Sequence, residues 1–270
     1  MKVSGGIPAL GFGTYGRWKA EGEAAIVTAL EVGYRHIDTA QSYDTEGECS
    51  RAVQTSGMSR DDLFVTTKID PKNFGAGDLI PSLRKSLDNL QMDQVNLTLI
   101  HWPSPHDEVA LPVYLEQLAE AKAEGLTKLI GVSNFTIALL KQAEKILGPA
   151  MLSTNQVELH PFLQNRKLAQ YCKESGITVT AYRPIAEGRV AKDRAISRVA
   201  EKHSATAAQV SLAYLMQLGY VVIPTSGKAA RIAENFGALG VTLDSEDMAA
   251  MRSADKNERY INPEWGPDWD

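Results

Sequence analysis

The chain carries four ionisable side chains of the kinds that move protons: Asp38, Tyr43, Lys68 and His101. Reducing a carbonyl to an alcohol needs a proton at oxygen while hydride arrives at carbon, and a phenol, with an ordinary pKa near 10, is a reluctant donor. An ammonium beside Tyr43 would favour phenolate and lower that pKa, and Lys68 is the candidate. Asp38 would hold Lys68 in an ion pair, and His101 would hydrogen-bond and orient the carbonyl oxygen. Singly, each has an ordinary explanation: a solvated lysine, a structural histidine, an aspartate capping a turn. Only a fold that gathers them makes them a set.

The elements that must do the gathering alternate along the whole chain. Short β-rich runs at 10–15, 35–38, 63–69, 95–102, 129–133, 154–159, 178–183 and 221–225 are separated by amphipathic helical stretches, the pattern of parallel strands joined by crossover helices. The helices are expected at 22–33, 47–56, 79–90, 109–123, 136–147, 166–175, 193–202, 207–218 and 229–236. Gly125, Gly176 and Gly219 each follow a helix, where glycine's left-handed conformation closes the C-terminus. Eight such units without a linker predict one (β/α)8 TIM barrel over residues 1–270, with the tail after Asp255 draped over a barrel mouth. In a closed barrel the C-terminal strand ends share that mouth, and Asp38, Tyr43, Lys68 and His101 all fall at or just beyond such ends.

One motif points elsewhere. Gly11, Gly13 and Gly16 match G-x-G-x-x-G, and Asp38 follows at the distance of a ribose-binding acid in a dinucleotide-binding βαβ unit. Yet the only preceding strand, 7–10, is short and contains Pro8, whereas a buried parallel strand is normally longer and richer in Val and Ile. Barrel glycines near a ligand are the preferred reading.

Composition sets further bounds. The 270 residues are 44% hydrophobic with a formal net charge of −5, which gives no broad electrostatic reason to bind nucleic acid or an anionic membrane surface. The polar start Met1-Lys2-Val3-Ser4 does not read as a leader, and no run approaches the roughly 18 apolar residues of a membrane span, so a cytoplasmic enzyme is expected. Cys49 and Cys172 form no CxxC and are expected to be packing residues. His101 and His106 are isolated, and no cluster has zinc spacing, so no metal is expected.

The segments Gly33–Tyr43, Thr67-Lys68, Leu99–Pro103 and Gly131–Phe135 resemble, in order, the motifs of the aldo-keto reductases, and the resemblance spans essentially the whole chain. It implies that Tyr43 is the general acid, supported by Asp38, Lys68 and His101, and that NADPH lies extended across the mouth. It further implies that Ser133, Asn134 and Gln156 hold the nicotinamide carboxamide, that Tyr182 stacks on the ring, and that Gly13, Thr14 and Ile185 line the same site. Thr225, Ser226, Gly227, Lys228, Arg231, Glu234 and Asn235 would form the pocket for the adenosine 2′-phosphate, where an Arg fork and a Lys beside a helix start suit a dianion.

Two positions depart from the family pattern. Thr225 stands where many relatives have lysine, weakening the NADPH preference unless Lys228 compensates, and Arg183 stands where many have serine, either pairing with cofactor phosphate or reaching solvent. Tyr15, Trp102 and a tail tryptophan, Trp265 or Trp269, would rim an open mouth suited to small polar aldehydes and ketones. The resemblance suggests 2,5-diketo-D-gluconate, methylglyoxal and β-keto esters, and a monomer. The alternative is a nicotinamide-binding sensor with little turnover, which would have no need of a tuned acid.

Overall fold

A computed structural model of the chain describes residues 3–270; Met1 and Lys2, where the reading of the N-terminus begins, lie outside the described residues. Ten strands are present among them. A hairpin, β1 (Val3–Ser4) and β2 (Ile7–Pro8), comes first. Then follow β3 (Phe12–Gly13), β4 (His36–Asp38), β5 (Phe64–Ile69), β6 (Val95–Ile100), β7 (Thr127–Ser133), β8 (Leu152–Glu158), β9 (Thr178–Tyr182) and β10 (Val221–Val222). These eight are parallel and pair strictly in chain order. Leu10 bridges to Val222, and Gly11 N donates to Val222 O at 2.9 Å, which joins the two edges into the expected (β/α)8 barrel.

The first two glycines that mimic a dinucleotide fingerprint are needed for space inside the barrel. A Cβ on Gly11 would meet the His36 ring at 2.6 Å, and one on Gly13 would meet Ile223 O at 3.0 Å. The His36 ring of β4 leaves no room for a side chain at Gly11, and the backbone just past β10 leaves little at Gly13; a barrel whose strands pair in chain order removes the βαβ alternative.

The helices are α1 (Lys19–Val32), α2 (Glu46–Ser56), α3 (Leu79–Leu90), α4 (Leu111–Ala123), α5 (Ile137–Leu147), α6 (Arg166–Glu174), α7 (Arg194–Lys202), α8 (Ala207–Gln217), α9 (Ala229–Phe236) and α10 (Ser245–Ser253). Gly125, Gly176 and Gly219 have φ of 78°, 70° and 87°, as their C-terminal positions predict. Two elements escape the periodicity reading. The hairpin turns on Gly5-Gly6, both with positive φ as a two-residue primed turn demands, and it is too short to show alternation. The last helix, α10, begins with an acidic capping box, Asp244 and Asp247, in place of the usual Ser/Thr and Glu pair.

Apolar packing divides in two. A large cluster fills the space between strands and helices, while a small one inside the barrel, Ile7, Phe64, Leu97, Leu99, Val221 and Ile223, plugs the end where the hairpin sits. The opposite end stays polar. The tail crosses it as expected: Glu158 accepts from the backbone N–H of Tyr260 and Ile261, both at 2.8 Å, and Asp270 accepts from Ile137 N at 3.0 Å at the start of α5. Among the described residues no helix is long and apolar enough to cross a membrane.

Candidate active site

The sheet register sets up the central pair. Asp38 of β4 is opposite Thr66 of β5, so Lys68, two residues on, has the same orientation one layer nearer the mouth. Lys68 Nζ lies 2.5 Å from Asp38 Oδ1 and 2.9 Å from Thr39 O, and both side chains are fully buried. The third Nζ contact is the Tyr43 hydroxyl at 3.3 Å, and the His101 Nε2 lies 3.4 Å from that same hydroxyl. The four residues singled out by chemistry thus meet around one phenol.

Tyr43 does not sit on a strand but on a 3-10 turn, Gln41–Tyr43, that follows β4. Gln41 pins the turn: its carbonyl accepts from Asp70 N and Asn73 Nδ2, and its amide reaches Ser82 and Ser86 on α3. Trp18 Nε1 donates to Tyr43 O at 2.7 Å from the other side. A surface turn is thereby fixed well enough to aim a hydroxyl at a buried ammonium.

Burial and charge compete over the phenol. Burial pushes the Tyr43 pKa up, the Lys68 ammonium pulls it down, and the net direction is up. The expectation that Lys68 lowers the phenol below its ordinary value is therefore corrected: desolvation of the phenolate outweighs the cation, and Lys68 limits the rise. Lys68 itself is held above the ordinary lysine value; burial opposes the charge, but Asp38 and Tyr43 together overcome it. Burial, with the Lys68 charge, holds His101 well below the ordinary histidine range, so the ring is neutral.

From this centre a cavity of about 1000 Å³ runs along the mouth to the start of α9. Its wall includes Gly13, Thr14, Ser133, Asn134, Gln156, Tyr182, Arg183 and Ile185, and, at the far end, Thr225, Ser226, Arg231, Glu234 and Asn235. Tyr15 and Trp102 border the carbonyl end. Gly227 and Lys228 are exposed and stand off the wall. Gln156 Nε2 donates to Asp38 Oδ2 at 2.8 Å, Asn134 Nδ2 to His101 O at 3.0 Å, and Tyr182 OH to Asn134 Oδ1 at 2.9 Å. Arg183 pairs with Glu187, which also lines the cavity. Trp102 meets the tail through Trp265 and Trp269, with ring centroids at 5.1 and 6.2 Å.

Several wall residues have no counterpart among the expected site residues, Ser42, Ile261 and Arg17 among them. Ser42 bonds His101 Nδ1, Ile261 joins the wall from the tail, and Arg17 lies beside Gly227 near the far end. Arg17 Nε is buried without a partner, and Arg17 Nη1 passes within 2.3 Å of where a Gly227 Cβ would be. The sequence signal for Arg17 is a basic residue directly after Gly16, at the end of the glycine motif. Among the described residues no three His, Cys, Asp or Glu side chains stand together as a metal site would need.

A parallel barrel with its polar cavity at the C-terminal mouth agrees with the family assignment: the chain belongs to the aldo/keto reductase family, whose model matches residues 9–256, and is an oxidoreductase. Among named relatives, the methylglyoxal reductase DkgB of Escherichia coli O157:H7 is 48% identical over 265 residues, 98% of this chain and 99% of that one, and the protein of the same name from Yersinia pestis is 47% identical over the same shares. A crystal structure provisionally assigned as a 2,5-diketo-D-gluconic acid reductase B superposes with a TM-score of 0.94 at 37% identity, covering 98% of this chain and 95% of the other. The aldose reductase of Schistosoma japonicum gives 0.90 at 30% identity, covering 96% and 95%. These names agree with the resemblance of His101-Trp102-Pro103-Ser104-Pro105 and Pro267-Asp268-Trp269-Asp270 to bacterial 2,5-diketo-D-gluconate reductase B.

Proposed function

We propose that the chain, acting as one domain over residues 1–270, is an NADPH-dependent reductase of small aldehydes and ketones with Tyr43 as proton donor. The observation that carries this reading is the convergence of Lys68 Nζ, at 3.3 Å, and His101 Nε2, at 3.4 Å, on the Tyr43 hydroxyl at a cavity wall.

The cavity's donor set fits a nicotinamide dinucleotide. Gln156 commits its N–H to Asp38, leaving its amide oxygen without a hydrogen-bond donor among the described residues, and Ser133 and Asn134 stand beside it, a combination suited to a carboxamide that both donates and accepts. Tyr182, Gly13, Thr14 and Ile185 would border the ring. At the far end the unpartnered buried Nε of Arg17, together with Ser226 and Arg231, suits phosphate, with Thr225, Lys228, Glu234 and Asn235 around it. When bound, the reduced nicotinamide supplies the hydride to the carbonyl carbon.

The chain's own work is at oxygen. Tyr43 O–H and His101 donate to the carbonyl oxygen, and as negative charge develops there Tyr43 gives up its proton. The resulting phenolate faces the Lys68 ammonium, which Asp38 and Thr39 hold in place without reorganisation. The alcohol leaves with both hydrogens, and Tyr43 regains a proton from solvent in the open cavity. Tyr15, Trp102 and Ile261 border the carbonyl end, and the arginines on the wall, Arg17, Arg183 and Arg231, lie with the cofactor region. Small uncharged carbonyl compounds such as methylglyoxal and β-keto esters suit this division better than the anionic 2,5-diketo-D-gluconate. A cytoplasmic monomer with two buried free thiols, Cys49 and Cys172, completes the reading.

Tyr43→Phe tests it: NADPH-dependent turnover should fall by about 10²–10⁴, the usual worth of a general acid, with NADPH binding by fluorescence titration nearly unchanged. Full activity in this variant would reject Tyr43 as the donor.

A further inference from the structure

Consecutive residues of the 3-10 turn engage opposite nitrogens of one imidazole. Ser42 Oγ is 3.1 Å from His101 Nδ1, while the Tyr43 hydroxyl is 3.4 Å from Nε2. A neutral imidazole carries a single proton, so a donor at Nδ1 places that proton on Nε2. We propose that Ser42 is a positioning residue, its hydroxyl donating to Nδ1 and thereby holding His101 as the Nε2–H tautomer that faces the reacting oxygen. The catalytic consequence rests on the reading of Tyr43 as proton donor; the tautomer assignment does not.

The surroundings of the phenol make the tautomer matter. Lys68 Nζ can only donate, so it occupies a lone pair of the Tyr43 oxygen. An unprotonated Nε2 would accept the Tyr43 proton and turn the hydroxyl away from the cavity. A protonated Nε2 leaves both neighbours of the phenol as donors, and the Tyr43 O–H is then free to point at a carbonyl. The same Nε2–H is available to that carbonyl oxygen as a second donor. Ring neutrality, favoured by burial and by the Lys68 charge, keeps the choice between two tautomers open for Ser42 to decide.

The geometry is held from both sides. The His101 backbone is fixed by donation from its N–H to Ile69 O at 3.2 Å and by acceptance from Asn134 Nδ2 at 3.0 Å. The ring stands edge-on to Tyr43 at a centroid distance of 5.3 Å. Ser42, although exposed, lies between the pinned Gln41 and a Tyr43 whose carbonyl is held by Trp18.

Long-range proton–nitrogen NMR spectra of histidine-labelled protein read the tautomer directly, with His101→Gln identifying the signals among the five histidines. The wild type should show His101 as Nε2–H. Ser42→Ala should give a tautomer mixture and a kcat about fivefold lower, the value of one neutral hydrogen bond, with NADPH affinity unchanged, and Ser42→Thr should restore both. An Nδ1–H wild type, an unchanged Ser42→Ala spectrum, or an altered spectrum with unaltered kcat would overturn the proposal. The spectra need no turnover, so a fully active Tyr43→Phe would remove the proton-donor reading while leaving the tautomer result separately decided.

Discussion

The two ends of the cavity are built on different principles. At the carbonyl end the polar groups are buried and already bonded to one another: Asp38 takes Lys68 and Gln156, Lys68 takes Thr39 and Tyr43, and Asn134 takes Tyr182 and His101. At the far end the groups are more open and unfinished: Arg17 is half-exposed, with no partner for its Nε among the described residues, and Thr225 and Arg231 are exposed. Chemistry at a developing oxyanion gains from dipoles fixed in advance, because their reorganisation has already been met during folding. A phosphate needs only charge and reach, which flexible arginines provide.

That contrast gives the largest expected effect. Lys68→Met strands the Asp38 carboxylate at the barrel centre, and breaking such a buried pair costs about 3–5 kcal/mol. Arg231→Ala, on the open rim, should alter stability by no more than about 0.5 kcal/mol. Urea unfolding of both variants checks the difference, and similar small losses would erase the distinction between a prewired and an adjustable end.

Beneath the tetrad the barrel interior holds His36, which packs on Phe64 at 4.9 Å and bonds Thr66 through Nε2 at 3.0 Å. Burial, only partly opposed by the Asp38 charge, lowers its pKa from 6.5 to about 4. Because the folded state resists the proton that the unfolded chain accepts, this histidine's contribution is complete above pH 6.5 and is lost as pH falls toward 4. One site shifted by that much corresponds to about 3 kcal/mol. Unfolding measured between pH 7 and 4 should show the loss, reduced in His36→Asn; equal slopes for the two proteins would mean that another group, His101 foremost, carries it.

Binding at the open end gives the next effect. A charge-assisted hydrogen bond is worth about 1.5–3 kcal/mol, so Arg231→Ala should weaken NADPH binding about 10- to 100-fold while scarcely touching NADH. Arg17→Ala should weaken both cofactors if it serves the pyrophosphate and NADPH alone if it serves the 2′-phosphate. Equal losses for NADPH and NADH in Arg231→Ala would show that no 2′-phosphate is read there.

The same division governs what the sequence discloses. Strand periodicity and the turn glycines made the barrel legible, and the register then gave Asp38 and Lys68 the same orientation, one layer apart, because β4 and β5 are neighbours. The net effect on Tyr43 was not legible, since it depends on how completely the phenol is buried, a property of the assembled mouth. Ser42 and Arg17 were missed for a related reason: neither belongs to a periodic element, and each gains meaning only from a contact across the fold, with His101 or beside Gly227. Gly11–Gly16 illustrates the converse, a pattern with a known chemical use whose first two glycines here make room for the His36 ring and for the backbone at Ile223.

The tail is a test of how far the prewired character reaches toward solvent. Glu158, itself buried, grips the tail backbone at Tyr260 and Ile261, yet the tail's aromatic edge, Trp265, is 37% exposed and meets the Trp102 ring edge-on. An edge-to-face aromatic pair contributes about 0.5–1.5 kcal/mol, so Trp265→Ala should raise KM for a small carbonyl substrate about threefold and leave kcat unchanged, because the Tyr43 hydroxyl and its donors do not move. A fall in kcat of the same size would instead place the tail within the rigid part of the site, and the boundary between the two regions would have to be drawn outside Trp265.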